Sequence, residues 1–273
     1  MRVRNSIEKV VPIEIFAKSD IKAGDDEVAV EKEINSPPEV AEDSPLAKIP
    51  AKLSVTEIKR RIAEFEYDTA QVADLVNKKF DKTKLYRRPT FMQRVEISGA
   101  EFGTIMHGVM QHLNLTGNLD AENISAQIDK MVDAQIFTLE QGDAVKRKIG
   151  NITKFFSSKL GQRLLKATEI YRELPFSRRI DAGTINAGEN FQRAAGEKIF
   201  VQGIIDLLFK DSVTGEWILL DYKTDRNNTD EYFRNEYREQ IRLYVEAVES
   251  LTGYKIAETY LYLLGAGRFV SMR

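Results

Sequence analysis

Apolar residues recur at helical spacing in three regions of the chain. From Phe102 to Leu113 the spacing predicts an amphipathic helix that includes His107. More helix is expected from about Ile124 to Leu165, and again from Thr229 to Ser250, where Gly253 is the expected stop. Each region therefore has one apolar face to bury against something else.

The period changes to two in residues 199–209, which predicts a strand. A polar turn over residues 211–216 leads to a second apolar strand over residues 217–222, so a hairpin is the simplest connection. A final strand, about Ala257 to Leu264, is expected to close an α/β or mixed α+β core. In the first strand, strict alternation puts Val201, Gly203, Ile205 and Leu207 on one side and Gln202, Ile204, Asp206 and Leu208 on the other.

Residues 1–50 differ in composition from the rest. From about Ser19 to Pro50 the chain is acidic, poor in aromatic residues and interrupted by four prolines, which predicts a largely disordered tail or linker. A helix start follows, with Ser54 or Thr56 able to cap it. The folded domain is therefore expected over residues 51–273.

Composition excludes several kinds of chemistry. The chain has no cysteine, which removes disulfides, thiol catalysis, thiolate zinc sites and iron–sulfur clusters, so any metal would be bound by oxygen and imidazole. The net charge of −2 neither favours nor opposes a nucleic-acid partner. Neither a membrane-spanning run nor a secretion leader is recognisable, so a cytoplasmic protein without a membrane partner is expected.

Asp206 and Asp221 stand at matching heights on the two predicted strands. A hairpin that is symmetric about residues 213–214 sets Asp206 opposite Asp221, and Lys223 then lies on the same face. Neighbouring carboxylates repel each other unless a cation lies between them. Such oxygen ligands suit Mg²⁺, with Mn²⁺ as the alternative, and either ion can activate water against a phosphodiester.

An acid-x-Lys triplet has little weight by itself. Asp20-Ile21-Lys22 in the acidic tail and Glu57-Ile58-Lys59 on the first helix have the same form. Asp221-Tyr222-Lys223 differs from both because it ends an apolar strand and has Asp206 on the strand before it. A structural role for the two carboxylates is disfavoured, since an uncompensated buried pair is costly.

Four segments, in this order, resemble the motif series of one nuclease family. They are Gly103–His107, Gly203–Asp206, Asp221–Asp225 and Gln240–Tyr244, and together they resemble the RecB-like branch of the PD-(D/E)XK nuclease superfamily. The resemblance extends from about Leu53 to the C-terminus and is strongest to the nuclease domains at the C-terminal end of the AddA (RexA) helicase-nucleases. It implies a restriction-endonuclease-like α/β core, with a mixed central sheet flanked by helices and an extra N-terminal helical region.

The family pattern also implies a role for each matched residue. Lys223 corresponds to the catalytic lysine, assisted by Asp206 and Asp221. Gln240 and Tyr244 correspond to a Gln-x-x-x-Tyr element that faces the DNA and the active site, and their spacing puts them on one helical face. The implied metal ligands are His107, Asp206 and Asp221, with the carbonyl of Tyr222 and, by a looser match, Glu173 as further ligands.

Structural explanations stay open for some of these residues. Without the other motifs, His107 on an apolar helix face would be interpreted as a core histidine. Tyr244 belongs to the apolar stripe of its own helix, and the match at Glu173 leaves both explanations standing. His112 is expected to be a surface residue or a neighbour of the ligands.

Two basic stretches are candidates for contact with DNA. One, over residues 78–88, interleaves six cations with Phe80 and Tyr86, as phosphate contacts and base stacking require. The other runs from Lys146 to Arg179 and contains ten cations against two acids. A solvated helix face is the alternative explanation for either stretch.

These features predict a Mg²⁺-dependent deoxyribonuclease, by resemblance an exonuclease that acts on single-stranded DNA ends. No Gly-x-x-x-x-Gly-Lys-Ser/Thr phosphate loop occurs, so no ATP site is expected. The chain is then expected to be the nuclease part of an AddAB-type helicase-nuclease in recombinational double-strand break repair, and its expected partner is a helicase region or an AddB-type protein. A catalytically silent DNA-binding or assembly module with the same fold is the alternative.

Overall fold

The computed structural model describes residues 49–74, 97–225 and 228–272, and for residues 66–74 it describes the backbone alone. The acidic tail up to residue 48 and the basic stretch over residues 78–88 lie outside the described residues. Within them, no helix is long and apolar enough to cross a membrane.

Helices and strands alternate in blocks along the chain. The strands are β1 (Lys52–Ser54), β2 (Glu169–Asp181), β3 (Lys198–Lys210), β4 (Trp217–Lys223), β5 (Ile256–Leu263) and β6 (Arg268–Ser271). The helices are α1 (Val55–Asp74), α2 (Gly99–His112), α3 (Ala121–Asp133), α4 (Leu139–Lys146), α5 (Ile149–Ser157), α6 (Lys159–Leu165), α7 (Glu189–Arg193) and α8 (Asp230–Thr252).

The strands form one mixed sheet around β3. β2 pairs antiparallel with β3 from Glu169↔Lys210 to Asp181↔Lys198. β4 follows β3 in an antiparallel hairpin, β5 runs parallel to β4, and β6 returns antiparallel to β5. The expected mixed sheet is confirmed, and helices pack on both of its faces.

The edge of β3 that does not pair with β2 is divided between two strands. β1 runs parallel to β3 and pairs as far as Gln202. β4 begins to pair at Leu207. The residues between these two ladders are 203–206, the first motif singled out in the sequence, so this motif lies where the sheet opens.

Each face of the sheet has its own apolar core. The first core contains Val201, Ile205 and Leu208 from β3 and packs against α1, α7 and α8. The second contains Leu207 and Phe209 and packs against helices α2 to α6, which precede β2 as the expected N-terminal helical region. The functional residues lie where both cores reach the open part of the sheet.

The alternation expected along β3 is interrupted at Asp206. Ile205 lies in the first core, as expected, but Leu207 lies in the second core and Leu208 in the first. The expectation of strict alternation through residues 201–208 was therefore wrong beyond Ile205. The shift occurs where one edge of the strand has no ladder to hold its pleat.

The predicted helical region from Ile124 to Leu165 is four helices, α3 to α6. Thr138 forms a capping box with Gln141 at the start of α4, and Ser158 caps α6. The predicted final strand is β5, but β6 follows it, so the sheet closes one strand later than expected. Ser54, one of the two candidate caps, exchanges hydrogen bonds with Glu57 at the start of α1.

Candidate metal centre and active site

Three side chains from separate elements meet at the open part of the sheet. His107 comes from α2, Glu173 from β2 and Asp206 from β3, and each offers one ligand atom within 4.8 Å of the others. His107 Nδ1 lies 3.4 Å from Asp206 Oδ1. An imidazole and two carboxylates form a donor set that suits Mg²⁺ or Mn²⁺.

Asp206 is fixed by the hairpin itself. The β3–β4 ladder ends at Leu207↔Leu220, and one further step in the same register sets Asp206 opposite Asp221, as the sequence predicted. Asp206 is buried, and its Oδ2 accepts a hydrogen bond of 2.6 Å from the backbone amide of Tyr222. The other oxygen is left to face His107.

Glu173 adopts a backbone conformation that is rare for a side chain. Its φ is 50°, in the left-handed region, and its strand neighbours pair as Arg172↔Leu207 and Leu174↔Ile205, which sets Glu173 opposite Asp206. Burial, and then the charge of Asp206, raise the pKa of the Glu173 carboxyl to about 6. Two carboxylates are thus held together despite repulsion, an arrangement that a bound cation would relieve.

His107 reaches the site because α2 packs closely on the end of β4. A Cβ at Gly103, one turn before His107, would come within 3.1 Å of Thr224 Oγ1. The imidazole also packs edge-on against Tyr222, with 6.0 Å between ring centroids. Burial lowers the pKa of His107, but the hydrogen bond to Asp206 and the charges of Asp206 and Asp221 outweigh it, so the net shift is upward.

Asp221 lies beside the three-residue group without being one of its members. It is 1% exposed, Oδ1 accepts a hydrogen bond of 2.9 Å from Gln240 Nε2, and Oδ2 lies 2.6 Å from Lys223 Nζ. Burial raises the pKa of Asp221 to about 6 against the opposing charge of Lys223. The carboxylates in turn hold the pKa of Lys223 above its ordinary value, although burial acts in the opposite direction.

The Gln-x-x-x-Tyr pair on α8 faces the same site. Gln240 Nε2 lies 3.1 Å from the Tyr244 hydroxyl as well as bonding to Asp221. Tyr244 is 6% exposed and packs edge-on against Phe176 in the first core. It is therefore a core residue whose hydroxyl reaches the site, which combines the two explanations that the sequence left open.

Tyr222 contributes its backbone to the site. Its amide donates to Asp206, while its ring is buried in the second core. Ligation by its carbonyl stays a prediction, as do the metal and catalytic roles of the other named residues. His112, the last residue of α2, is exposed.

Three residues at the site were not recognised from the sequence. The Tyr237 hydroxyl donates a hydrogen bond of 2.7 Å to Asp225, and the Nζ atoms of Lys59 and Lys223 lie 3.7 and 4.8 Å from the centroid of the Tyr237 ring. Tyr237 stands three residues before Gln240 on the same helical face, which was the available signal. Lys59 belongs to one of the triplets set aside as decoys.

The basic stretch from Lys146 to Arg179 does not form one surface for DNA. Arg163 bonds to Asp211 and Glu258, Lys146 pairs with Asp129, and Arg172 donates to the carbonyls of Met110 and Leu113. These cations hold parts of the fold together. The high local positive charge was therefore a poor guide to the DNA-binding surface.

Comparisons with known proteins agree with this geometry. Residues 78–269 match the family model of the PD-(D/E)XK nuclease superfamily. The chain is 39% identical over 227 residues to the larger-numbered relative from Clostridium acetobutylicum, an ATP-dependent helicase/nuclease chain, covering 81% of this chain and 17% of that protein. The ATP-dependent helicase/nuclease chains of Moorella thermoacetica and Clostridium novyi are 38% and 35% identical, over 82% and 83% of this chain and 15% and 18% of their own length.

Proposed function

The chain belongs to the PD-(D/E)XK nuclease superfamily, and from this premise we propose that it hydrolyses the phosphodiester bonds of DNA in the presence of Mg²⁺. The observation that carries the proposal is the meeting of His107, Glu173 and Asp206 beside the Asp221–Lys223 pair. Repulsion between two adjacent carboxylates is the kind of strain that persists at functional sites.

His107, Glu173 and Asp206 would hold the ion, with Asp221 and the Tyr222 carbonyl as the further ligands that the family pattern implies. A bound Mg²⁺ ion supplies charge stabilisation at a phosphoryl oxygen and lowers the pKa of a water molecule. Mn²⁺ suits the same donor set. The protein holds the ligands rigidly by taking them from a helix and two paired strands rather than from loops.

Lys223 carries a positive charge next to the ligands. Its ammonium group lies 2.6 Å from Asp221 Oδ2, so its position is defined before substrate arrives. From there it can hydrogen-bond to a phosphate oxygen or orient the attacking water. Gln240 holds the other oxygen of Asp221 and thereby fixes the carboxylate that fixes Lys223.

The names of the relatives extend the proposal to a larger assembly. The chain spans only 15–18% of the length of these ATP-dependent helicase/nuclease proteins. We take residues 51–273 to be the nuclease unit of an AddAB-type helicase-nuclease, with residues 1–50 as the acidic segment before it. Partnership with an AddB-type protein, exonucleolytic cleavage of single-stranded ends and recombinational repair of double-strand breaks complete the proposal.

The test is degradation of end-labelled single-stranded DNA by the wild type and by Asp221→Ala, with Mg²⁺ and with EDTA. Wild-type cleavage that requires Mg²⁺ and falls at least about 100-fold in the variant is expected, since the substitution also frees Lys223 and Gln240. Glu216→Ala, an exposed carboxylate in the β3–β4 turn, is the matched control and should cleave normally. If the wild type is inert, or if Asp221→Ala is equally active, the nuclease assignment fails and a silent binding module becomes the better explanation.

A further inference from the structure

The strands that hold Glu173 and Asp206 also have a solvent-facing surface. Phe176, Ile180, Val201 and Ile205 point into the first core, and the residues that alternate with them point the other way. This second set, here called the outer face, consists of Pro175, Ser177 and Arg179 on β2 and Phe200, Gln202 and Ile204 on β3.

The outer face runs directly to the metal centre. The register pairs Arg179 with Phe200, Ser177 with Gln202 and Pro175 with Ile204, and the next position along the two strands is occupied by Glu173 and Asp206. Phe200 and Asp206 are six residues apart on β3, a separation of about 20 Å along an extended strand. A chain lying along these strands would therefore end at the candidate ligands.

An exposed ring with cations on both sides marks the far end of the outer face. Phe200 is 42% exposed, and the guanidinium carbon of Arg179 lies 4.8 Å from the centroid of its ring. Lys52, on the neighbouring strand β1, pairs with Phe200 in the parallel ladder and is also exposed. Closer to the metal centre, Ile204 is 50% exposed.

The charges on this face favour an anionic partner. Asp181, which follows Arg179 on the same side of β2, is already engaged by the amides of Gly183 and Gly196 and lies 3.6 Å from Lys198 Nζ. Arg179 and Lys52 therefore give the outer face a positive character up to the acidic metal centre.

We propose that the outer face binds single-stranded DNA, with a base stacked on Phe200 and Arg179 and the backbone directed toward Asp206. The proposal rests on the proposed function for its direction, because the strand is led to the bond that would be cleaved. A single strand fits better than a duplex, since the flat surfaces of Phe200 and Arg179 need the face of an unpaired base. Alternation of apolar surface and cations matches a chain of bases and phosphates.

The first test measures the affinity of the full chain for a fluorescent thymidine 15-mer in EDTA, so that no cleavage occurs. Phe200→Ala should weaken binding about tenfold, and Phe200→Trp should retain it, because stacking on one aromatic ring is worth this much. An abasic strand of equal length should bind wild type and Phe200→Ala equally. Tyr254→Ala removes a ring of similar exposure, 43%, from a position at the start of β5 and should bind normally.

Arg179 is tested through the salt dependence of the same affinity. Arg179→Ala should reduce the slope of log K against log salt by about 0.7, the value for one phosphate contact on a single strand. Lys255→Ala, in which an 84% exposed cation is lost, should leave the slope unchanged. Unchanged affinity and slope in both Phe200→Ala and Arg179→Ala would overturn the proposal and leave the face to a protein partner.

A short substrate separates this proposal from the nuclease assignment. The dinucleotide TpT cannot extend from Asp206 to Phe200, so Phe200→Ala should cleave it at the wild-type rate while losing rate on the 15-mer at subsaturating concentration. Equal loss on both substrates would mean that Phe200 supports the fold and would overturn the proposal. If the wild type cleaves neither substrate but the binding differences remain, the nuclease assignment fails and the DNA-binding face stands.

Discussion

Glu173 and Asp206 illustrate how single residues store the cost of this site. Each stands where its strand departs from regular geometry, Glu173 through a φ of 50° and Asp206 through the shift of the neighbouring residues between cores. Left-handed φ at a residue with a Cβ costs roughly 1–2 kcal/mol. The surrounding ladder maintains this strain, which brings two carboxylates together where a cation can bind.

The first prediction concerns pH. In the metal-free protein the pKa of Glu173 is raised from 4.5 to about 6. Its protonated form therefore stabilises the fold below pH 4.5, and this contribution is lost as pH rises through 6. A cation competes with the same proton, so the increase in Tm on adding Mg²⁺ should be small at pH 5 and large at pH 7.

Glu173→Gln provides the comparison for this measurement. It cannot ionise, so both the pH-dependent loss of metal-free stability and most of the pH dependence of the Mg²⁺ effect should be reduced. Differential scanning fluorimetry from pH 5 to 7, with EDTA and with Mg²⁺, measures both quantities. A Mg²⁺-induced gain in Tm that is the same at pH 5 and pH 7 would contradict the prediction.

The second prediction assigns Tyr237 a positioning role for Lys223. The ring of Tyr237 attracts the Lys223 ammonium, and such a contact is worth up to about 2 kcal/mol when desolvated. Tyr237→Leu should lower kcat about tenfold with little change in KM. Tyr237→Phe keeps the ring and loses the hydrogen bond to Asp225, so its kcat should stay within about twofold. Equal losses in both variants would transfer the effect to the hydroxyl group.

Sequence reasoning reached the site residues whose position follows from strand register or from motif order. Asp206, Asp221 and Lys223 follow from a symmetric hairpin, and the structure has that register. Lys59 could not be found in this way, because it meets Tyr237 through the packing of α1 on α8, which no local pattern encodes. Arg172 was assigned to DNA because its charge is visible in the sequence and its carbonyl partners are not.

At the scale of elements, the divided edge of β3 determines where the site can form. β1 covers this edge as far as Gln202 and β4 covers it from Leu207, so Gly203 to Asp206 have free space on that side. Gly203 is needed because a Cβ there would lie 2.7 Å from the Phe176 ring and 3.1 Å from Val55 Cγ2. Phe176 in turn packs against Tyr244, so β3 and the Gln240–Tyr244 pair share one support.

The third prediction follows from this packing. Gly203→Ala should lower the free energy of unfolding by about 1–3 kcal/mol, the usual cost of overpacking, and should reduce turnover as Phe176 displaces Tyr244. Gly150→Ala in α5 is the control, since nothing lies within 4 Å of its new Cβ and alanine is the better helix former. Urea unfolding of both variants measures the difference. A Gly203→Ala variant as stable as Gly150→Ala would mean that the strand can shift away from Phe176.

Element types were easier to predict from sequence than element boundaries. The periodic segments at residues 102–113, 199–209 and 229–250 correspond to α2, β3 and α8. The continuous helix expected from 124 to 165 failed because caps such as Thr138 and Ser158 are common polar residues whose capping bonds depend on three-dimensional geometry. The break in the alternation of β3 depends on which strands pair with it, and this information lies far away along the chain.

At the scale of the whole molecule, the metal centre joins the two sides of the sheet. His107 arrives on α2, which packs in the second core, whereas Glu173 and Asp206 stand where β2 and β3 pass from one core to the other. A cation bound by all three would tie α2 to the sheet. Because it would bind the folded chain and not the unfolded one, it should stabilise the entire domain.

The last prediction uses the two histidines of the chain, both of which are on α2. At a concentration of Mn²⁺ about 100 times its dissociation constant, the wild type should gain about 2.7 kcal/mol of stability. His107→Ala should lose most of this gain, because it removes the ligand that connects the helix to the strands. His112→Ala, an exposed residue at the end of the same helix, should keep it. Equal gains in the two variants would mean that the carboxylates alone hold the ion, and the link between α2 and the sheet would then rest on apolar packing.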